Sequence, residues 1–351
     1  MKSKICLLSL CTALAACYEK PEQLDPHDVL DATVEQVILP DLDTFKRTAE
    51  DLQENSILFC QDPSQGRLQT LQFSWKGGKK MLKTMELLSF GPYNFGEIDI
   101  SRRLDNWPER GEGIEDLIAG AQQIDTTYLQ SVNRADLSLG YPALGYLLHS
   151  KEETESVRVG FLEERRCTYL MVQTELNLNI VNEFYQAWSP QGMDYASEIT
   201  QAGKGSSSFT SPQEAIGGLL QSMNRLVLHM ADLKLAQPLD MGRMDTVEAK
   251  YSASSLQDLH NNLDAIEKLY AAPSPSISDY IRAYQGEEVD ASILEGIANV
   301  RAAITVIPEP LSQSILEEPE KVAELIVALE ALSDIFTNDA ERFMMFAPQG
   351  Y

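Results

Sequence analysis

Basic residues are scarce in this chain. Its 351 residues include 28 lysines and arginines against 53 aspartates and glutamates, a formal net charge of −25. That balance excludes a nucleic-acid binder, which needs a basic stripe to neutralise phosphates, and a polybasic membrane-surface module. Catalytic signatures are missing as well: there is no GxSxG, no P-loop, no HExxH and no CxxC. The four histidines (His27, His149, His229 and His260) stand apart, and none has a second His or Cys three or four residues away, so no helical metal pair is encoded. Beyond the N-terminus no apolar run approaches the ~18 residues that span a bilayer as a helix. Strand-like alternation is confined to residues 97–100.

The N-terminus itself is informative. Lys2 and Lys4 precede a short apolar stretch that ends in Leu14-Ala15-Ala16-Cys17. Small residues directly before a cysteine resemble a bacterial lipobox. On that reading residues 1–16 are a lipoprotein signal peptide, Cys17 carries the lipid and residues 17–25 form a tether. The other reading is an ordinary secretory signal cleaved after Ala13-Leu14-Ala15. Several acyl chains on one residue anchor a protein stably, each buried CH2 contributing ~0.8 kcal/mol. Tyr18 follows the cysteine where an aspartate would favour the inner membrane, so the address resembles the outer membrane, with the globular part facing the periplasm. Loss of Lys2 and Lys4 with the leader takes the net charge from −25 to −27. Cys6 and Cys11 leave with it, and Cys60 and Cys167 remain. In an oxidising compartment two cysteines suggest one disulfide; two buried free thiols are the alternative.

Almost every long segment after the tether has helical period. Asp25-Pro26 opens a first helix whose apolar residues recur at steps of three and four, with Pro40 expected to kink it. Further helices are predicted over 67–88, 113–123, 126–134, 141–149 and, as one long element, 153–188. The stretch 89–113 is aperiodic and rich in Gly, Pro and aromatics, and its Arg102 and Arg103 read either as an anion site or as solvated surface. Residues 202–210, AGKGSSSFT, are the candidate linker. Ser211-Pro212-Gln213-Glu214 then reads as a helix start, with the cap, a first-turn proline and a glutamate at the third position. Helices divided near residue 205 predict an all-α protein of two helical bundles, over 26–204 and 205–351.

Three strings, VILPDLDTFKRTAEDLQENSILFCQDP from residue 37, WKGGKKMLKTMELLSFGP from 75 and the NWP at 106–108, occur in the order that resembles the imelysin family, as do DLKLAQPLD and EAKYSASSLQDLHNNLDAIEKLY in the second half. The resemblance implies an exported bacterial protein with two helical bundles and an association with iron uptake. It names no cofactor of its own; iron enters only through that association. The family's GxHxxE signature falls on Gly140-Tyr141-Pro142-Ala143-Leu144-Gly145, so Pro142 stands at the His position and Gly145 at the Glu position. Neither offers a side chain that binds a metal or moves a proton. His149 lies seven positions on, ~10 Å along a helix. The resemblance therefore implies non-catalytic binding, with a metallopeptidase or an envelope assembly protein as rivals.

Glu248, Ser252 and Ser255 match the family's acidic and serine positions. With Arg103 they form the candidate ligand pocket; the alternative is that Ser254 or Ser255 merely caps the helix that starts near Leu256. The partners expected are outer-membrane lipid through Cys17 and either a small ligand or another envelope protein, with no nucleic acid. The anchor is directly testable. Cys17→Ala is expected to abolish lipid modification and hinder processing; equal periplasmic solubility of wild type and variant, with no lipid on Cys17 by mass spectrometry, would contradict the lipobox reading.

Overall fold

The computed structural model describes residues 24–93, 100–131, 139–150, 153–284 and 286–340. Cys17 and residues 1–16, the expected signal peptide, lie outside them. The first half contains α1 (Pro26–Thr33), α2 (Leu39–Gln61), α3 (Gln65–Met85), α4 (Ile100–Leu104), α5 (Gly111–Ala119), α6 (Thr126–Ser131), α7 (Gly140–His149), α8 (Thr154–Gly160), α9 (Glu164–Trp188) and α10 (Tyr195–Thr200). The second half contains α11 (Pro212–His229), α12 (Gln237–Met241), α13 (Ser255–Ala271), α14 (Ile277–Ala283), α15 (Glu287–Thr305), α16 (Leu311–Glu317) and α17 (Pro319–Asp334). No strand occurs among the described residues; Ile100, the end of the one strand-like run, opens a helix, and 97–99 lie outside them.

The helix starts follow from their caps. The Asp25 carboxylate accepts from the backbone N–H of His27 at 2.9 Å, with Pro26 in the first turn. Ser211 accepts from the N–H of Glu214 at 3.1 Å, with Pro212 beside it. Two prolines inside continuous helical paths are accommodated in the same way. A π-helical turn, Val34–Ile38, joins α1 to α2 just before Pro40, and another, Met230–Ala236, joins α11 to α12 just before Pro238. Proline lacks an N–H and its ring crowds the carbonyl four residues back, and the wider turn relieves both problems.

The expected helix over 153–188 is two helices. Between α8 and α9 the amides of Phe161, Leu162 and Glu163 bond three residues back. The tightened turn drives Phe161 inside, 2% exposed, edge-on to Phe59 at 5.0 Å between centroids. The serine-rich stretch read as a linker is also folded. It wraps the Glu198 carboxylate, which accepts from Ser206 Oγ at 2.7 Å and from the amides of Ser207 and Ser208 at 2.6 and 2.8 Å.

One apolar core runs without interruption from Val29 to Ala340, across residue 205. α1 packs on α11 and α14, and α3 lies along α13. Gln36 exchanges two hydrogen bonds with the backbone of Ser274, both 3.1 Å, and Lys268 of α13 pairs with Asp41 of α2 at 2.6 Å. The two halves therefore share an extended face, and the α3–α13 contact is where the charged residues collect.

Cys60, at the end of α2, and Cys167, in the first turn of α9, form a disulfide with Cα atoms 5.6 Å apart. It encloses a sequence separation of 107 residues. The double variant Cys60→Ser/Cys167→Ser is expected to lose about 2–5 kcal/mol of unfolding free energy, read from denaturant midpoints. Thiol labelling of denatured, unreduced wild type is expected to find no free cysteine among the two.

Candidate functional site: a buried charge cluster between the halves

The apolar stripe of α3 passes through Leu68, Leu71 and Trp75, and its next turns bring Lys79, Lys83 and Glu86 to the same buried face. Lys83 is fully buried; Lys79 is 4% exposed. Opposite them, α13 turns Asp258 and Asn262 inward, one turn apart, and both are buried. Asp105 follows α4, Lys234 sits on the π-helical turn before α12, and Glu248 on the loop before α13.

The Lys83 ammonium is the hub. It pairs with Glu86 Oε1 at 2.5 Å, with Asp105 Oδ2 at 2.5 Å and with Glu248 Oε1. Lys234 Nζ lies 2.7 Å from Glu86 Oε2, 3.2 Å from Glu248 Oε2 and 2.9 Å from Asn262 Oδ1. Asn262 donates to Glu86 Oε2 at 2.9 Å and to the Lys83 carbonyl at 2.8 Å. Lys79 forms an adjoining pair with Asp258 at 2.6 Å and stands 5.1 Å from the Trp75 ring centroid.

Burial works against every charge here, and pairing decides which survive. Burial would lower the Lys83 pKa, but Asp105, Glu248 and Glu86 together outweigh it and hold the ammonium well above the ordinary lysine range. Burial would raise Glu248, yet Lys234 and Lys83 bring it down to about 2; Glu86 is likewise held well below the usual carboxylate range. Asp105 goes the other way, to about 7, because burial exceeds the pull of Lys83 and the neighbouring Glu248 and Glu86 repel its charge. Glu109, 5% exposed with one oxygen unpartnered, is also pushed up to about 7 by burial, opposed by Lys79 and Lys250.

The residues expected at the pocket divide. Glu248 belongs to the cluster, and Ser255 Oγ donates to the Glu248 carbonyl at 2.5 Å, pinning its loop. That loop has Ala249 and Ala253 in the left-handed region, at φ 57° and 50°, where a side chain is disfavoured. Ser252 bonds Ser254 at 2.9 Å, and Ser254 accepts from Lys79 at 3.4 Å. Arg103 instead reaches Glu183 of α9 at 2.6 Å. Neither serine caps α13 through its side chain; the Leu256 amide donates to Glu309 Oε1 at 2.6 Å, a carboxylate arriving from the α15–α16 connection. Lys79, Lys83, Glu86, Asp105, Lys234, Asp258 and Asn262 were not singled out from sequence. The available signal was the phase of Lys79 and Lys83, which continues the stripe of Trp75.

The Gly140–Gly145 segment borders this cluster. Gly140 has φ +76°, and a Cβ there would lie 2.1 Å from the Leu104 carbonyl oxygen, so only glycine allows the close backbone pairing of Gly140 with Asp105. A Cβ on Gly145 would lie 3.0 Å from the Trp75 ring, whose Nε1 donates to the Tyr141 carbonyl at 3.0 Å. Gly78 admits the Tyr141 hydroxyl in turn. His149 packs on Trp75 with centroids 4.9 Å apart and is held neutral, its pKa lowered to about 4 by burial and by Lys76 and Lys79. The segment thus offers no metal ligand. Glu86, Asp105 and Glu248 form the one carboxylate group among the described residues compact enough for a cation, their ligand atoms within 4.8 Å of one another. Lys83 sits on all three, so the residues as they stand do not fit a bound metal.

The family model of imelysin matches residues 38–337. The chain is 24% identical over 335 residues to the iron-regulated protein A of Synechococcus elongatus, covering 92% of this chain and 88% of that protein. In fold it is similar to the crystal structure of a putative iron-regulated protein A precursor from Parabacteroides distasonis (TM-score 0.74, 20% identity, 92% of this chain and 97% of that one). It is also similar to an imelysin-like protein from Psychrobacter arcticum (TM-score 0.72, 18% identity, 93% and 97%).

The raised Glu109 sets a pH dependence. A carboxyl that keeps its proton longer when folded contributes stability that is full below its unfolded pKa, about 4.5, and is lost as pH rises through about 7. Glu109→Gln is expected to flatten that loss. Its unfolding free energy relative to wild type should rise by roughly 1–3 kcal/mol between pH 5 and pH 8, measured by urea titration.

Proposed function

The chain belongs to the imelysin family, and we propose that it is a non-catalytic member: a lipid-anchored, periplasm-facing protein of the bacterial outer membrane that serves iron uptake by binding rather than by hydrolysis. The observation that carries this reading is the occupancy of the two places where chemistry would sit. Trp75 lies against Gly145, and the Lys83 ammonium lies among Glu86, Asp105 and Glu248. Metal-dependent hydrolysis needs a metal with an open position and a general base for its water. A carboxylate already paired to a buried ammonium supplies neither. The link to iron rests on the family and on the name of the Synechococcus relative; the membrane anchor rests on Leu14-Ala15-Ala16-Cys17.

On this reading the junction residues hold the halves together, and what the protein binds meets it at the surface. Incubated with zinc, manganese or ferrous iron, the purified mature protein is expected to leave casein intact. Chelator-sensitive cleavage that disappears in Glu248→Ala would overturn the non-catalytic reading.

A further inference from the structure

Three carboxylates gathered around one point are the arrangement by which proteins hold hard divalent cations. Here the point is filled by the Lys83 ammonium, tethered to α3. Each acid is fixed by something other than Lys83. Glu86 is held by Lys234 at 2.7 Å and Asn262 at 2.9 Å. Glu248 is held by Lys234 at 3.2 Å and by the bond from Ser255 to its carbonyl. Asp105 is placed by the backbone pairing of Gly140, and its Oδ1 is buried without a hydrogen-bond partner. The carboxylates of Glu86 and Glu248 and the backbone of Asp105 are therefore positioned without the lysine, and Asp105 has a donor atom to spare.

The charges agree. Above the Asp105 pKa of about 7, where all three acids are ionised, Glu86, Asp105 and Glu248 sum to −3; Lys83 and Lys234 return +2, leaving −1. A divalent ion in place of Lys83, with Lys234 retained, brings the group to zero.

We propose that Glu86, Asp105 and Glu248 form a divalent-cation cage whose resident cation is the Lys83 side chain, and that removing this side chain turns the cage into an oxygen-ligand metal site. The inference shares Lys83 with the non-catalytic reading but stands apart from it. Cleavage of casein by the wild type would end that reading without bearing on whether the Lys83→Ala protein takes up a metal.

The probe is Mn2+ alone, with binding measured by titration calorimetry and by metal retained after desalting. Wild type is expected to retain none. Lys83→Ala is expected to retain one Mn2+ per chain, to bind it at least tenfold more tightly than wild type, and to unfold at a higher temperature in Mn2+ than in chelator. Adding Glu248→Gln to Lys83→Ala is expected to remove both effects. If Lys83→Ala is unfolded in chelator, recovery of its helical circular dichroism on adding Mn2+ supports the cage, and failure to recover overturns it. The proposal is equally overturned if the wild type itself binds one Mn2+ through Glu248, or if folded Lys83→Ala binds Mn2+ no more tightly than wild type does.

Discussion

The ammonium of Lys83 and its three carboxylates fix how the two halves of this protein meet. Taking a lysine to zero exposure costs several kcal/mol of lost hydration, and only close, multiple pairing offsets that cost. The acids that supply it come from three separate places in the chain: the turn after α3, the residue after α4 and the loop before α13. None can move without leaving a charge unpaired in the interior. The left-handed alanines beside Glu248 belong to the same constraint, since the loop adopts an unfavourable backbone to deliver its carboxylate. Apolar packing brings α3 and α13 together; the charges decide at which register they stop.

Features governed by near neighbours were legible in the sequence. Asp25-Pro26 and Ser211-Pro212 announced their helices because a cap and a first-turn proline act within three residues. The pairing of Cys60 with Cys167 was legible because they are the two cysteines beyond residue 17. What escaped depends on groups far off in the chain. The cap of α13 comes from Glu309, 53 residues beyond Leu256. The break after Gly160 reflects the demand of Phe161 for a place beside Phe59. The GKGSSS stretch resembles a flexible linker until Glu198 is seen to organise it. Lys79 and Lys83 were legible and unread, since an apolar stripe that continues through lysines is a sign that those lysines are buried.

Gly140 separates two things that a sequence motif combines. Its φ of +76° and the Leu104 carbonyl beside it require glycine for steric reasons alone. The positions two and five residues later, Pro142 and Gly145, carry no such backbone demand. Gly145 gives Trp75 a seat. The glycine of the motif therefore reports on how α7 meets the end of α4, and says nothing about activity.

A cation that is part of the chain also differs from a bound ion in its thermodynamics. The occupancy of a metal site follows mass action: it falls with the free concentration of the ion and can be emptied by a competing ligand. The Lys83 ammonium has no dissociation constant with respect to its surroundings. Its presence at the junction is set by folding and by proton binding alone, and proton binding is secured by the three acids around it. The arrangement of the halves is thereby insulated from metal supply.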